Sequence, residues 1–378
     1  MKNILITGGA GFIGSHVAYK LAAEGYNVRV LDNLSEQIHG KDACIPQLIS
    51  GKVDFIKGSV DNTEDWIKAL EGVEAVIHLA AETGTGQSMY EIERYCSVNV
   101  GGTAKLLDIL TNRKHSVKKV IVASSRAIYG EGRYFCKEHG IVYPEVRENS
   151  DMLNGDFNPK CPVCGRDVEC CATKEDSMIH PTSVYGITKQ MQEELVMTVC
   201  KAIGIPALVY RYQNVYGPGQ SLSNPYTGIL SIFSTQIMNG GSINIFEDGE
   251  EARDFVYIED VADATIAGLK SNAEYEIFNI GSGEIVTVNK VVRQLMSVYN
   301  KKVDVNISGD FRNGDIRNNF ADISKAKRLL GYEPKVKFEQ GIKLFAEWVK
   351  GQEIKSSGYE ASLKEMKEKG LFKEGNTK

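Results

Sequence analysis

The sequence predicts an α/β fold: a doubly wound parallel sheet, followed by a smaller mixed α/β lobe and interrupted by a cysteine-rich insertion. Three observations lead to this prediction. Apolar strand patterns alternate with helical patterns in the first half of the chain, a glycine-rich turn follows the first strand, and the pattern becomes mixed and turn-rich from Asn214 onward. The alternation indicates a parallel sheet that is covered by helices.

The first strand is predicted at 3–7, and it leads through the turn Gly8-Gly9-Ala10-Gly11-Phe12-Ile13-Gly14 into a helix over 12–24. Glycines in such a turn let backbone N–H groups reach a pyrophosphate at the helix N-terminus. The second strand, 27–32, ends at Asp32, where an acid can accept both hydroxyls of an adenosine ribose. This combination predicts a Rossmann-type dinucleotide site and favours NAD over its 2′-phosphorylated form.

The remaining elements follow from the same patterns. Strands are predicted at 53–57, 74–79, 118–124 and 205–211, and helices at 63–71, 98–112, 184–203, 323–330 and 338–350. We expect 1–212 to form the NAD-binding domain, with a cysteine-rich loop inserted at 131–180. Residues 213–352 mainly form the substrate lobe, from which 254–270 returns to the first domain. The polar, lysine-rich tail 353–378 is expected to be solvated or loosely docked.

Composition excludes several classes of partner. The net charge is −5, and the sequence has no cluster of Lys and Arg, so a nucleic acid polymer is not expected to bind. The sequence begins with a strand rather than a secretory signal, and no apolar run is long enough for a membrane span, so we expect no membrane contact and a cytoplasmic location. The eight cysteines are then reduced thiols or metal ligands rather than a disulfide framework.

The catalytic candidates come from two segments. Tyr185 and Lys189 stand at positions i and i+4 of a predicted helix, so both side chains leave the same face. A nearby ammonium stabilises a phenolate and lowers the tyrosine pKa, and it can also hold a cofactor ribose. The strand 118–124 leads into Ser125, which places a hydroxyl where the nicotinamide ring is expected and where it can orient a reacting hydroxyl.

With these motifs the chain resembles the extended short-chain dehydrogenase/reductases, specifically the nucleotide-sugar epimerases and dehydratases. Further matching motifs are His78-Leu79-Ala80-Ala81, Asn99, Arg211 to Pro218, Arg253 to Tyr257 and Asp260-Val261-Ala262. The resemblance covers residues 1 to about 350 apart from the insertion. It implies that Tyr185 is the acid/base, that Ser125 acts on the substrate hydroxyl, and that Lys189 tunes Tyr185 and binds ribose.

The resemblance also implies two sets of binding residues. Arg126, Asn214, Arg253 and Arg312, together with Ser125, are expected to contact the substrate, a nucleotide-diphosphate sugar; surface ion pairs are the alternative for the last two arginines. Ser59 stands where the family usually has an adenine-contacting aspartate, so its assignment with Val60 is weaker. The expected NAD contacts are Gly8, Gly11, Phe12, Ile13, Gly14, Asp32, Asn33, Ser59, Val60, Leu79, Ala80, Ala81, Asn99, Ser124, Tyr185, Lys189 and Tyr212.

The expected reaction is epimerisation, most often at C4, with NAD bound tightly and regenerated in each cycle. Relatives that eliminate water have an acidic pair after the active-site serine, whereas this chain has Arg126-Ala127-Ile128. The alternatives are a net oxidoreductase that acts on a nucleotide-activated keto sugar and a non-catalytic NAD-binding regulator, which the retained Ser/Tyr/Lys set disfavours. The insertion and the run Ser124 to Gly132 resemble the dTDP-L-rhamnose 4-epimerases, so dTDP-L-rhamnose or a related dTDP- or UDP-hexose is the expected substrate.

The insertion contains four residues with the spacing of zinc ligands. Cys136 and His139 form a Cys-x-x-His pair, and Cys161 and Cys164 form a Cys-x-x-Cys pair. A closed four-ligand site would be structural; the alternatives are a loop without metal and replacement of His139 by Cys170. The helices 98–112 and 184–203 resemble those through which the family forms homodimers, although the apolar stripe of the second is equally consistent with packing on its own sheet.

Overall fold

A seven-stranded parallel sheet forms the centre of the part of the chain that this computed structural model describes, residues 1–41, 43–226, 228–353 and 358–375. The strands are β1 (Asn3–Thr7), β2 (Asn27–Asp32), β3 (Asp54–Lys57), β4 (Ala75–His78), β5 (Lys119–Ser125), β6 (Tyr134–Cys136), β7 (Gly140–Val142), β8 (Glu169–Cys170), β9 (Ala207–Tyr212), β10 (Asn214–Tyr216), β11 (Ile243–Ile245), β12 (Ala252–Arg253), β13 (Phe255–Tyr257), β14 (Glu276–Ile280), β15 (Val286–Thr287), β16 (Val305–Ile307), β17 (Phe311–Arg312), β18 (Asn318–Asn319) and β19 (Phe372–Lys373).

Helices cover both faces of the sheet. They are α1 (Phe12–Ala23), α2 (Glu36–His39), α3 (Thr63–Leu70), α4 (Thr85–Ser88), α5 (Ile92–Tyr95), α6 (Gly102–Asn112), α7 (Asn149–Leu153), α8 (Val184–Ala202), α9 (Ile229–Met238), α10 (Ile258–Lys270), α11 (Val288–Tyr299), α12 (Ser324–Leu330), α13 (Phe338–Lys350) and α14 (Tyr359–Glu368). A π-helical turn, Cys96–Gly101, leads into α6, and a 3₁₀ turn, Arg126–Tyr129, follows β5. Among the described residues no helix combines the length and the apolar character that a membrane span requires.

The sheet order is β14-β9-β5-β4-β1-β2-β3, which confirms the predicted doubly wound architecture. The order reverses between β1 and β4, where the crevice of such a sheet receives its ligand. Helices α1 and α10 pack on one face, and α3, α6 and α8 pack on the other. The sequence analysis did not predict β14, because the strand lies beyond the segment expected to leave the substrate lobe; it pairs with β9 and extends the sheet.

Local capping explains where several of these helices begin. The Asn62 side chain accepts hydrogen bonds from the backbone N–H groups of Glu64 and Asp65 at the start of α3. Ser183 accepts one from Gly186 at the start of α8, so the cap fixes the turn from which Tyr185 projects. The predicted helices 12–24, 63–71, 184–203 and 338–350 are therefore found with nearly the expected ends.

The insertion leaves and re-enters the sheet domain at one point. The N–H of His180 donates to the carbonyl of Ile128 at 2.8 Å, and Gly130 has a φ of +59°. A Cβ at Gly130 would lie 2.2 Å from the carbonyl oxygen of His180, so a side chain there would separate the two ends of the insertion. Between them the antiparallel sheet β7-β6-β8 and α7 form a small appended layer.

The C-terminal segment, for which a solvated or loosely docked tail was expected at 353–378, packs on the substrate lobe. Its residues 358–375 form α14 and β19, and β19 pairs antiparallel with β17. Ser362 and Met366, one turn apart, are buried, and the rings of Phe372 and Phe246 lie 5.3 Å apart. The few apolar residues of this lysine-rich segment share one face, which explains how a polar sequence still docks. Residues 354–357 and 376–378 lie outside the described residues.

Candidate active site

The glycine turn brings the backbone of β1, the start of α1 and the loop after β4 into close contact. A Cβ at Gly14 would lie 2.2 Å from the carbonyl oxygen of Gly8, and a Cβ at Gly8 would lie 2.8 Å from the amide nitrogen of Ala80. Gly8 also has a φ of +65°, which other residues rarely adopt. Only glycine fits at these two positions, so the turn keeps the N-terminus of α1 open to the cavity.

A cavity of about 690 Å³ opens from this turn and runs along the carboxyl ends of the strands. Asp32 lies at the end of β2 in its wall, and its carboxylate accepts hydrogen bonds from the backbone N–H groups of Ala10 and Leu34. The expected cofactor residues that line the cavity are Gly8, Gly11, Phe12, Ile13, Gly14, Asp32, Asn33, Ser59, Val60, Leu79, Ala80, Ala81, Ser124, Tyr185, Lys189 and Tyr212. The glycine cradle and this acid fit an adenine dinucleotide.

Asn99 has a different place from the one expected. It does not line the cavity; it is fully buried behind the wall, where it exchanges hydrogen bonds with the backbone of Glu82 and donates to Thr188. In this structure Asn99 therefore holds the loop after β4 against α8. Its motif lies in the π-helical turn Cys96–Gly101, and a sequence pattern cannot show which way that irregular turn directs a side chain.

Other cavity residues were not anticipated from the sequence. His39, Pro46 and Leu48, from the segment after β2, line the end near Asp32, and Nε2 of His39 lies 3.7 Å from Oδ1 of Asp32. Tyr226, from the segment before α9, lines the cavity as well. These residues stand in loops without a repeating pattern, so only their position in the fold reveals them.

Ser125, Tyr185 and Lys189 converge at the carboxyl end of β5. The side chain of Ser125 lies near Tyr185, and the backbone N–H of Tyr185 donates to the hydroxyl of Ser88 at 3.0 Å. The ammonium of Lys189 donates to the carbonyl of Ala123 and to the side chain of Gln192, both at 2.8 Å. All three catalytic candidates therefore border the same cavity.

The electrostatics of Tyr185 differ from the expectation. Burial raises its pKa, and the hydrogen bond with Ser125 and the positive charge of Arg126 oppose this rise. Burial also lowers the pKa of Lys189 to about 7, although Glu193 acts in the opposite direction. The spacing of Tyr185 and Lys189 predicted that Lys189 lowers the pKa of Tyr185, whereas the groups that lower it in this structure are Ser125 and Arg126.

Four of the expected substrate contacts, Arg126, Asn214, Arg253 and Arg312, do not line this cavity; they form two linked pairs. Nε of Arg126 donates to the side chain of Asn214 at 2.8 Å, and the proximity of Arg253, together with burial, lowers the pKa of Arg126 to about 10. Arg312 and Arg253 both contact the carboxylate of Asp315. Burial alone would raise the pKa of Asp315, but the surrounding arginines hold it well below its usual value. One carboxylate thus faces several guanidinium groups, which leaves a positive site suited to a diphosphate.

The C-terminal segment closes one side of this region. A narrow groove runs between α4, the start of α8, the loop after β17 and the docked segment, and Met366 and Leu371 line it. The carboxylate of Glu365 accepts a hydrogen bond from Tyr90, whose hydroxyl lies 2.6 Å from that of Tyr226. The sequence analysis did not assign any site residue to this segment, because its contacts join positions far apart in the chain.

The four predicted metal ligands come together in the insertion. The candidate ligand atoms of Cys136, His139, Cys161 and Cys164 all lie within 4.8 Å of one another. Cys170 packs beside them without joining the cluster, so the structure favours His139 over Cys170 as the fourth ligand. This cluster lies outside the residues that line the cavity.

Comparisons with known proteins agree with this geometry. The model of the NAD dependent epimerase/dehydratase family matches residues 4–152 and 161–281. The chain is 38% identical over 353 residues to the dTDP-L-rhamnose 4-epimerase of Burkholderia thailandensis, an alignment that covers 92% of this chain and 95% of that protein.

Two solved structures have the same fold. The UDP-glucose 4-epimerase of Thermotoga maritima, solved with UDP-glucose, has a TM-score of 0.75 and 33% identity, with 92% of this chain and 98% of that chain covered. The UDP-glucose 4-epimerase of Thermus thermophilus, solved with NAD, has a TM-score of 0.73 and 26% identity, with 93% and 100% covered. The chain is therefore an enzyme of the NAD-dependent epimerase/dehydratase family.

Proposed function

We propose that the protein is an isomerase, an NAD-dependent nucleotide-sugar 4-epimerase, and that its substrate is dTDP-L-rhamnose or a related dTDP- or UDP-hexose. The observation that carries the proposal is the position of Ser125, Tyr185 and Lys189 on the same cavity as the glycine turn and Asp32. The relative from Burkholderia thailandensis supports the rhamnose nucleotide, and the structure from Thermotoga maritima supports a UDP-hexose.

In the proposed mechanism the chain moves one proton while the sugar carbon is oxidised and reduced again. Bound NAD supplies the site that accepts the hydride and returns it. Tyr185 takes the proton from the C4 hydroxyl, and Ser125, whose side chain lies near Tyr185, holds that hydroxyl. When the keto sugar presents its other face, Tyr185 returns the proton. In this proposal Lys189, whose ammonium donates to Ala123 and Gln192, holds the cofactor ribose.

The residues after Ser125 favour epimerisation over loss of water. Elimination requires a further acid and base beside the tyrosine. Arg126, Ala127 and Ile128 occupy this segment, and the next carboxylate, Glu131, is buried in an ion pair with Arg147. Glu82 borders the cavity but is paired with Arg94 at 2.8 Å. The neighbouring carboxylates are thus held in ion pairs.

Substrate retention is assigned to the positive site around Asp315. In this proposal Asn214, Arg126, Arg253 and Arg312 hold the nucleotide diphosphate. Guanidinium groups bind a phosphate through charge-assisted contacts, which anchor the nucleotide and leave the sugar free to turn. Such anchoring is required here, because the keto sugar must rotate without leaving the site.

The proposal is tested by following dTDP-L-rhamnose and UDP-glucose by proton NMR in heavy water, with the enzyme as isolated and no added NAD. We expect one of the two sugars to give its 4-epimer without deuterium at a ring carbon, because the hydride returns directly from the bound cofactor. Tyr185→Phe is the matched control, since it removes one hydroxyl and keeps the ring. Turnover only with added NAD or NADH would instead indicate a net oxidoreductase, and deuterium in the ring would indicate an enolising epimerase.

We also propose a homodimer that pairs through α6 and α8. Ile187 and Met191, one turn apart on α8, are 45% and 43% exposed, and an apolar face of this kind favours a partner helix. Analytical ultracentrifugation tests this: we expect a dimer for the wild type and a monomer for Met191→Asp. The eight free thiols support the further proposal of a cytoplasmic location. For the Cys/His cluster we propose a structural metal without a part in the hydride chemistry.

A further inference from the structure

The four-ligand cluster in the insertion has the dimensions of a tetrahedral zinc site. Sγ of Cys136 lies 3.8 Å from Sγ of Cys164, and Nδ1 of His139 lies 3.5 Å from Sγ of Cys136 and 3.6 Å from Sγ of Cys161. Zinc bonds of about 2.3 Å to sulfur and about 2.05 Å to nitrogen give tetrahedron edges of roughly 3.8 Å between sulfurs and roughly 3.6 Å between sulfur and nitrogen. The sulfur separation is far too long for a disulfide bond.

Backbone N–H groups surround the cysteine sulfur atoms, where they can stabilise thiolates. The backbone N–H groups of Glu138 and His139 lie near Sγ of Cys136, and those of Val163 and Cys164 lie near Sγ of Cys161. A third cysteine, Cys164, receives the N–H of Arg166. Three sulfur ligands and one imidazole select a soft or borderline metal such as zinc over magnesium or calcium.

A metal ion at this site would stabilise the insertion, whose own apolar core is small. Its buried cluster consists of Tyr134, Cys136, Val142 and Cys161, so two of the four members are ligands themselves. An apolar core of this size does not hold a fold by itself, and small appended units of this kind use a metal instead. Four protein side chains fill all four positions of a tetrahedral zinc ion, so the site has no open position for catalysis.

The segment closed by the cluster, residues 137–160, contacts the substrate lobe in two places. The first contact is the guanidinium of Arg147, which forms two 2.8 Å hydrogen bonds with Glu247 and donates at 2.9 Å to the carbonyl of Asp315. Arg147 also pairs with Glu131 at 3.1 Å, and all three ionic side chains are at most 5% exposed.

The second contact is apolar. Met152 and Phe157 are buried against Phe311, the residue that precedes Arg312 in β17. Through Asp315 and Phe311 the insertion therefore contacts both sides of the arginine that the proposed function assigns to the diphosphate. Arg253, in β12, donates to the carbonyls of Ile316 and Arg317, so the stretch of chain that follows Asp315 also fixes the second arginine.

We propose that Cys136, His139, Cys161 and Cys164 bind one structural zinc ion, and that this zinc-held insertion positions Arg312 and Arg253 for the nucleotide diphosphate. The metal site stands on its own geometry. The positioning role rests on the proposed function, since it assumes that these arginines bind a diphosphate. The expected signature of the role is a change in nucleotide affinity at constant NAD content.

The first experiment measures metal in the purified full-length protein by inductively coupled plasma mass spectrometry. We expect about one zinc per chain, loss of zinc in Cys136→Ser and Cys164→Ser, and retention in Cys171→Ser. Cys171 is a suitable control because it lies in the insertion outside the cluster. Protein without zinc, protein with iron in its place, or full zinc in Cys164→Ser would overturn the metal site.

The second experiment titrates dTDP and UDP into the same proteins by calorimetry, which does not depend on turnover. We expect the metal-ligand variants Cys136→Ser and Cys164→Ser to bind the preferred nucleotide roughly two- to thirtyfold more weakly. Their NAD content should be unchanged. If a ligand variant does not fold, the wild type is stripped with a chelator, and affinity is expected to return with zinc but not with magnesium. Zinc loss with unchanged affinity refutes the positioning role, whereas a zinc protein that binds neither nucleotide refutes the proposed function and leaves the metal site intact.

Discussion

Substitution of Gly14 by alanine tests the steric argument for the cofactor site. The new Cβ would lie 2.2 Å from the carbonyl oxygen of Gly8 and 2.6 Å from Cα of Gly9, so it meets backbone rather than a flexible side chain. Relief of this overlap requires the turn and the start of α1 to separate by about 1 Å, since non-bonded atoms attract only at about 3.5 Å or more. Such overpacking costs about 1–3 kcal/mol.

The strain falls on the N–H groups that face the pyrophosphate, so we expect Gly14→Ala to bind NAD roughly fivefold to 150-fold more weakly. NAD content after purification and the Kd of NAD measured by calorimetry are the assays. Gly241→Ala is the matched control, because its Cβ would meet its nearest neighbour at an ordinary 3.6 Å. Normal NAD binding by Gly14→Ala, or an equal loss in Gly241→Ala, would refute the reasoning.

Three further predictions concern charged groups. Burial lowers the pKa of Lys189 to about 7, so between pH 7 and 10 the unfolded state binds more protons than the folded state. The free energy of unfolding of the NAD-free protein should therefore rise from pH 7 to 9, on the order of 2 kcal/mol. Urea unfolding measures this rise, which should be missing in Lys189→Met. Arg312→Met should weaken dTDP or UDP binding about tenfold to hundredfold, the value of a hydrogen bond to a charged group, while the exposed Arg293→Met leaves the calorimetric Kd unchanged; equal affinities in both variants would contradict the diphosphate assignment. Arg147→Met leaves Glu131 without its ion-pair partner and should lower the free energy of unfolding by about 3 kcal/mol, which urea denaturation checks; a loss below about 1 kcal/mol, typical of an exposed pair, would show that the network is not structural.

The parts of the site that the sequence predicted depend on short local patterns. Gly8 to Gly14 form one turn, Asp32 ends the next strand, and Tyr185 and Lys189 are separated by one helical turn, so spacing alone places them. Ser125 follows from the end of β5 by the same reasoning. These residues require no knowledge of which distant segments come together.

The missed features depend on contacts between distant positions. The sheet gains β14 only because 276–280 returns beside β9, and Glu365 reaches Tyr90 across most of the chain. Charge patterns did not reveal that Arg147 joins Glu131 to Glu247, since each of the three looks like a surface residue in sequence. The buried position of Asn99 could not be predicted, because a π-helical turn changes which face a residue presents.

The insertion leaves and re-enters the sheet domain at one point, so its length affects the catalytic residues and the proposed nucleotide contacts differently. Because His180 returns to Ile128, the length of the segment between them has no effect on the distance from Ser125 to Tyr185. The distance between the reacting groups therefore does not depend on the length of the appended layer, whereas the proposed contacts to the nucleotide diphosphate depend on this layer through Arg147 and Asp315. If the proposed function holds, a change in the length of this layer alters nucleotide binding and leaves the distance from Ser125 to Tyr185 unchanged.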